Sequence, residues 1–198
     1  MRKARACERE RGEFRMSPVD EIFALFKQRG ARTYYGEPVS MTEHMLQAAY
    51  FAQAESAPAA FVIAALLHDV GHLIETVPDD IADWTSDARH EEVGGRWLAQ
   101  RFPASVSEPV RLHVPAKRYL CATDSAYFAK LSPASVITLE LQGGPMTREE
   151  TARFEAESFF REAVRVRRWD DAGKVAGLAT PQLEDYRALI NSVRSSIQ

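Results

Sequence analysis

The hydrophobic positions of the chain recur at helical spacing, and the alternation that is typical of strands is nearly absent. The most apolar stretch, residues 59–75, reads AAFVIAALLHDVGHLIE and is apolar nearly all round, which predicts a central helix that is buried on most faces. No apolar run approaches the ~18–20 residues that span a bilayer, so we expect no membrane association. The pattern as a whole predicts an all-α protein, a single compact helical bundle.

Residues with capping chemistry predict where the helices begin. Ser17 is followed by a proline suited to the first helical position, and Ser40 and Thr147 each open a capping box with a glutamate three residues later. Four further starts are expected at Asp87, Ser107, Ser132 and Thr180. We expect Pro115 to interrupt one helix, and the Thr147 box to lead a single long amphipathic helix toward Trp169.

Composition narrows the class of protein. The apolar and charged fractions of 45% and 27% are normal for a globular domain of this length, which we place at residues 16–198. Residues 1–15 are highly charged and lack the apolar region of a signal peptide, so we interpret them as a disordered leader and Met16 as an alternative start. The net charge of −3 argues against nucleic-acid binding. Having only Cys7 and Cys121, the chain fits a reducing cytoplasm.

The candidate chemistry lies in the histidines. All five fall in predicted helices or at their edges: His44, His68, His72, His90 and His113. A single helical histidine is more often a surface or core residue, but the adjacent His68 and Asp69 stand inside an apolar run, where two ionisable groups are costly unless they are paired or bind metal. Imidazole and carboxylate ligands suit iron, manganese and similar divalent ions. Helical spacing would also place His68 and His72 on one face.

The histidine and aspartate pattern carries a resemblance to a known family. The order H…HD…D resembles the HD-domain superfamily, and a closer match is to HD-domain mixed-valent diiron oxygenases of phosphonate degradation, which cleave carbon–phosphorus bonds. The matching stretches are YYGE, EHMLQAAYFA, AALLHDVGH, RHEEVGGRWL, HVPAKRYL, LSPASVITLELQGGPM and RRWDDAGK. They cover almost all of residues 34–174, and their order and spacing are far more specific than an HD pair alone.

The resemblance implies a set of metal ligands. One iron would be held by His44, His68 and Asp170, the second by His90 and His113, and Asp69 would bridge the two. These ligands imply two iron ions in a mixed Fe(II)/Fe(III) state, with O2 as co-substrate. Six protein ligands would leave coordination positions open, as a catalytic metal site requires.

The resemblance also implies a substrate pocket. The residues that match phosphonate-binding and polar pocket positions are Lys117, Arg167, Ser135 and Gln142. Lysine and arginine are chemically suited to a phosphonate, which carries close to two negative charges. Three further residues match catalytic positions: Tyr34 and Glu37 as a lid over the iron pair, and His72 beside the substrate. A glycine at residue 36 would give such a lid unusual backbone freedom.

The implied reaction uses O2 to cleave the carbon–phosphorus bond of a 1-hydroxy-2-aminoethylphosphonate, releasing phosphate. A primary amine would give glycine and an N-trimethyl substrate glycine betaine, and both stay open. A quaternary ammonium would need aromatic faces and acidic neighbours, for which the candidates are Tyr34, Tyr35, Trp84, Asp87 and Tyr119. The expected partner is therefore a small molecule, and the sequence leaves the oligomeric state open.

Two other functions remain possible on the sequence. An HD-type phosphohydrolase of nucleotides or phosphate monoesters would use a metal-bound hydroxide and no oxygen. A non-catalytic sensor of metal or phosphonate would require no turnover at all. The presence of His72 and of the Tyr34 and Glu37 pair favours the oxygenase over the hydrolase, and the complete ligand set argues against a degenerate site.

Overall fold

A computed structural model describes residues 16–34, 36–75 and 89–194, and it confirms the predicted all-α fold. Within these residues the only strand-like feature is an isolated antiparallel bridge between Thr33 and Ser40. The expected leader at residues 1–15 and the expected cap at Asp87 lie outside the described residues. No helix in the described ranges is both long enough and apolar enough to cross a membrane.

Eleven α-helices and one 3₁₀ turn are formed by the described residues. They are α1 (Pro18–Arg29), α2 (Met41–Ala54), α3 (Ala59–Leu66), α4 (Val70–Ile74), α5 (His90–Ala99), α6 (Ala104–Thr123), α7 (Ser125–Phe128), α8 (Pro133–Leu141), α9 (Arg148–Glu155), α10 (Phe160–Ala172), the 3₁₀ turn (Leu183–Tyr186) and α11 (Arg187–Val193). Four predicted caps are confirmed, because the side chains of Ser17, Ser40, Ser132 and Thr147 each accept a backbone N–H in the first turn.

The predicted continuous helix at residues 59–75 was wrong. It is divided into α3 and α4 by a turn at residues 67–69. His68 and Asp69 therefore lie in the turn, where the Nδ1 of His68 is 2.8 Å from the carbonyl oxygen of Ala65. The i, i+4 argument for His68 and His72 fails with it, because the two residues do not share one regular helix.

Three other boundary predictions were wrong. Helix α6 begins at Ala104, three residues before Ser107, and runs without interruption through Pro115. Packing against α5 and α10 on either side offsets the backbone hydrogen bond that the internal proline removes. The Thr147 box leads only α9, which ends at Glu155 before α10 begins, and α11 begins at Arg187 rather than at Thr180.

The helices pack around a core to which α2, α3, α6 and α10 contribute most of the buried side chains. Trp169 on α10 is only 2% exposed and lies in this core. Close approach is possible where α4 meets α5, because a Cβ on Gly71 would lie 2.0 Å from the carbonyl oxygen of His90. A Cβ on Gly95 would similarly lie 2.8 Å from the side chain of Arg111 on α6. Both contacts require glycine, because a side chain at either position would push the facing helices apart.

Candidate metal centre

Six predicted ligand residues converge from five regions of the chain. His44 comes from α2, His68 and Asp69 from the turn between α3 and α4, His90 from the start of α5, His113 from the middle of α6, and Asp170 from α10. All six are buried, with exposures between 0% and 9%. Residues separated by up to 126 positions thus reach one small volume in the core, which no local pattern could require.

The first cluster consists of His44, His68, Asp69 and Asp170. The Nε2 atoms of His44 and His68 lie 3.0 Å apart. Oδ2 of Asp69 lies 3.5 Å from Nε2 of His44 and 3.4 Å from that of His68. Oδ1 of Asp170 lies 3.3 and 3.7 Å from the same two nitrogens. Two imidazole nitrogens and two carboxylate oxygens therefore face a common point.

The second cluster shares Asp69 with the first. The Nε2 atoms of His90 and His113 lie 3.1 Å apart. Oδ1 of Asp69 is 3.2 Å from Nε2 of His90 and 3.5 Å from Nε2 of His113. The two oxygens of Asp69 thus face different histidine pairs, which is the arrangement that a bridging carboxylate would need.

Backbone carbonyls fix which ring nitrogen of the histidines is available. The Nδ1 atoms of His44, His68 and His113 lie 2.9, 2.8 and 2.7 Å from the carbonyl oxygens of Gly173, Ala65 and Val110. A carbonyl oxygen only accepts, so each Nδ1 carries a proton, and each ring in its neutral form presents the lone pair of Nε2 to the cluster.

These lone pairs would repel one another unless a cation lay between them. Two carboxylate oxygens of the clusters, Oδ2 of Asp69 and Oδ1 of Asp170, are buried without a hydrogen-bond partner among the described residues. An unsatisfied buried carboxylate oxygen is costly, and coordination to a metal would satisfy it. The donor set therefore fits metal ions with mixed nitrogen and oxygen preference.

The electrostatics of the site keep both carboxylates ionised. Burial raises the pKa of Asp69 and Asp170, but the neighbouring histidines, and Arg167 beside Asp170, hold both pKa values well below the usual range. Burial also opposes a charge on His44, yet the nearby carboxylates of Asp170 and Asp69 outweigh it and raise the pKa of His44 to about 9. The two ionised carboxylates therefore strongly favour a positive charge, such as a metal ion, at the cluster.

His72 lies beside the second cluster. Its ring stacks on that of His90, with centroids 3.9 Å apart and an angle of 23° between the planes. Burial lowers the pKa of His72 well below its usual value, so the ring is neutral at physiological pH. It can supply a ligand atom to a group with Asp69 and His90. The structure thus brings His72 to the metal centre, while its expected position beside the substrate remains a prediction.

A polar region adjoins the centre between α6 and α8. Lys117 is 2% exposed, and its Nζ donates to Oγ1 of Thr138 at 2.9 Å. Burial, followed by the charge of Arg167, lowers the pKa of Lys117 to about 7. Ser135 is also buried, and Oε1 of Gln142 is buried without a hydrogen-bond partner. Lys117 and Ser135 therefore present polar atoms from α6 and α8, and Gln142 directly follows the end of α8.

Arg167, the fourth predicted pocket residue, is already engaged by carboxylates. Its Nη1 donates to Oδ2 of Asp170 at 2.6 Å, and its Nη2 donates to Asp171. Its Nε lies 3.0 Å from the hydroxyl of Tyr127. The guanidinium therefore orients Asp170 directly, a contact that sequence reasoning missed although Asp170 stands only three residues further along the same helix.

The predicted lid lies over the first cluster. The ring of Tyr34 stacks on His44 with centroids 3.8 Å apart and 16° between the planes. Gly36 has a φ of 75°, a conformation that favours glycine and lets the chain turn back toward α2. Oε1 of Glu37 is buried without a hydrogen-bond partner, and Nζ of Lys174 lies 3.9 Å away. Lys174 was missed, although it ends the quoted RRWDDAGK motif.

The candidate residues for a quaternary ammonium are not all brought to the site. Tyr119 packs against Phe154 and Phe160 in a separate hydrophobic cluster, and its hydroxyl donates to Glu155. Tyr35, Trp84 and Asp87 lie outside the described residues. Of the two candidates that the structure describes, Tyr34 lies beside the metal centre and Tyr119 does not.

Together, the helical fold and the buried histidine and aspartate clusters define an all-α protein with a candidate metal centre. The chain is 44% identical over 172 residues to the [1-hydroxy-2-(trimethylamino)ethyl]phosphonate dioxygenase (glycine-betaine-forming) of Leisingera caerulea, covering 87% of this chain and 88% of the relative. It is 45% identical over 175 residues to the hydroxymethylphosphonate dioxygenase of Gimesia maris, covering 88% of this chain and 87% of the relative. No protein-family model matches the chain.

The chain belongs to the family of these phosphonate dioxygenases. Membership confirms the expected oxygenase class and not the phosphohydrolase alternative. It also confirms the resemblance that the HD pattern and the surrounding motifs indicated. The two relatives differ in the group at the carbon next to phosphorus, so similarity alone leaves the substrate open.

Proposed function

We propose that the protein uses O2 to cleave the carbon–phosphorus bond of a 1-hydroxyalkylphosphonate and releases phosphate. The observation that carries the proposal is the pair of histidine clusters joined by Asp69, with a buried lysine and the ring of Tyr34 beside them. Family membership supports the class of reaction. With a 2-amino substituent the organic product is glycine, and with a 2-trimethylammonium substituent it is glycine betaine.

The proposed centre holds two iron ions. His44, His68 and Asp170 would hold one, His90 and His113 would hold the other, and Asp69 would be shared by both. When bound, the iron pair supplies the redox chemistry with O2. The role of the protein is then to fix ligand geometry. The three Nδ1 contacts to backbone carbonyls and the two bonds from Arg167 to Asp170 and Asp171 support that role.

The phosphonate is proposed to lie in the polar region between α6 and α8. Lys117 donates to the anion, with Ser135 and Gln142 as polar contacts and Arg167 at the boundary with the metal centre. Burial lowers the pKa of Lys117 because the protein around it does not fully stabilise the ammonium charge. A bound dianion would stabilise that charge, which supports the proposed role. The buried Oε1 of Gln142, without a partner among the described residues, marks a polar group available to a ligand.

The lid and His72 complete the proposed site. Tyr34 covers the first cluster until substrate binds, and Glu37 contacts the substituent at C1. His72, neutral and stacked on His90, faces the substrate from the second cluster. Exclusion of water by the lid would protect the centre from reaction in the absence of substrate.

The decisive experiment compares oxygen dependence across substrates. The iron-loaded protein is incubated with hydroxymethylphosphonate, 1-hydroxy-2-aminoethylphosphonate and its N-trimethyl analogue, in air and under strict anaerobiosis. Phosphate and the organic acid are measured. We expect both products from at least one substrate in air and neither without O2. Phosphate release under anaerobiosis, or from a phosphate monoester alone, would establish a hydrolase instead. The metal-stripped protein is the control.

A further inference from the structure

Lys174 contacts three parts of the site that are far apart along the chain or belong to different elements. It follows the end of α10, and its side chain is 13% exposed. Its Nζ donates to Oγ of Ser135 on α8 at 3.0 Å. The same atom lies 3.9 Å from Oε1 of Glu37 in the lid and 3.8 Å from Oδ1 of Asp171 on α10. The lid, the pocket wall and the helix that bears Asp170 therefore meet at one ammonium group.

The ammonium group of Lys174 is a positively charged neighbour for the carboxylate of Glu37. Oε1 of Glu37 is buried and has no hydrogen-bond partner among the described residues, so a neighbouring cation would stabilise it. Lys174 supplies one, and it also lies over the ring of Tyr34, 5.9 Å from the centroid. Both lid side chains are thus attracted toward the same ammonium while Tyr34 covers His44.

Backbone hydrogen bonds link the two residues of the lid to each other and to its base. Its base is fixed by the bridge between Thr33 and Ser40. Above the base, the amide of Tyr34 donates to the carbonyl oxygen of Val39 at 3.0 Å, and the amide of Glu37 donates to that of Tyr34 at 2.7 Å. Holding Glu37 in place therefore holds the ring of Tyr34 over the metal centre.

We propose that Lys174 is a positioning residue, a latch that holds the Tyr34 and Glu37 lid closed and releases it when an anion binds beside Ser135. The release follows from the geometry, because the same ammonium serves Glu37 and Ser135. A dianion at Ser135 attracts Lys174 more strongly than a single carboxylate at 3.9 Å does. The inference rests on the lid of the proposed function, but its test does not require turnover.

The test is hydrogen–deuterium exchange of the lid amides in the iron-loaded protein without substrate. Lys174→Met removes the charge but keeps a similar chain length, and Glu37→Gln removes its partner. Each substitution should speed exchange at Tyr34 and Glu37 by about twofold to fivefold, the range for one partly exposed ion pair. Lys174→Arg should restore the slow rate. The matched control is Lys130→Met, which neutralises an exposed lysine, and amides of α3 serve as the internal reference.

Two further measurements separate a latch from a general structural role. The double variant should exchange no faster than either single variant, because both substitutions break one interaction. Methylphosphonate, which has no hydroxyl group to react, should speed lid exchange in the wild type and leave the Lys174→Met variant unchanged. The latch is contradicted if lid amides exchange at the wild-type rate in Lys174→Met. It is also contradicted if the rate increase in the double variant equals the product of the two single increases. An unchanged wild-type rate with methylphosphonate overturns the release. If the wild-type protein cleaves no carbon–phosphorus bond, only the proposed function is contradicted.

Discussion

Gly71 packs directly against the backbone of His90, so that an added Cβ would lie 2.0 Å from the carbonyl oxygen of His90. This contact positions the first residue of α5 within 3.2 Å of Asp69. Because backbone atoms cannot rotate away as a flexible side chain does, α4 and α5 must separate to admit a larger residue.

Gly71→Ala should therefore move His90 away from Asp69. We expect a loss of about 1–3 kcal/mol of unfolding free energy, as for overpacked cores, together with weaker binding at the second cluster. Chemical denaturation and metal titration measure the two effects. Arg96→Ala, on an exposed position of the same α5 helix, is the control and should change both by little. Normal metal binding by Gly71→Ala would show that the close approach is dispensable.

The two clusters predict that one histidine can be removed without emptying both. His90→Ala should reduce bound iron from about two to about one per chain, because the His44, His68 and Asp170 set remains complete. Elemental analysis after dialysis measures the ratio. The variant should also lose oxygen-dependent phosphate release.

His72→Ala is the matched comparison for that experiment, because His72 stacks on His90. If His72 faces the substrate, the variant keeps two iron ions and loses turnover. If it retains only one, His72 belongs to the metal group that it can form with Asp69 and His90.

Lys117 predicts a pH dependence of substrate binding. Its pKa of about 7 means that the ammonium charge is present below pH 7 and is lost as the pH rises through that value. A bound phosphonate dianion favours the charged form and raises this pKa. Binding at pH 8 should therefore be accompanied by proton uptake, which calorimetry in buffers of different ionisation enthalpy detects.

Lys117→Met should abolish that proton uptake and weaken binding by at least tenfold, since a buried charged hydrogen bond is worth about 1.5–3 kcal/mol. Lys130→Met, at an exposed position, should leave both quantities unchanged. Proton uptake that persists in Lys117→Met would assign the titration to another group.

Arg167 is predicted to affect the retention of iron, through its hydrogen bond to Asp170, as well as the binding of substrate. Arg167→Lys cannot reproduce the simultaneous bonds to Asp170, Asp171 and Tyr127. We expect a loss of about 1.5–3 kcal/mol of stability, the value of a hydrogen bond to a charged group, and faster loss of iron to a chelator. Arg168→Lys, whose guanidinium is 53% exposed beside Asp124, is the control. If Arg167→Lys retains iron normally but binds phosphonate more weakly, the role of Arg167 is limited to substrate binding.

Much of the local structure could be predicted from the sequence. The helix starts at Ser17, Ser40, Ser132 and Thr147 depend on side chains within three residues of the backbone groups that they cap, so a short window contains the cause. The boundaries at Ser107, Pro115 and Thr180 were mispredicted because neighbouring helices decide whether a proline or a cap candidate interrupts a helix. Packing along α6 outweighs the local preference there.

The sequence by itself predicted a metal role for His68 and Asp69, and its resemblance to a known family predicted the other ligands and the anion-binding residues. The adjacent His68 and Asp69 in an apolar run already demanded a partner, because burial of both is costly without one. The order of the motifs further indicated the family, which the relatives confirmed.

Only the tertiary structure decided how these residues are combined. That Asp69 turns one oxygen to each histidine pair depends on the break between α3 and α4 and on the approach of α5 past Gly71. The engagement of Arg167 with Asp170, and the position of Lys174 between Glu37 and Ser135, likewise depend on distances between separate elements. Such distances are set by the packing of the whole core, which no single segment encodes.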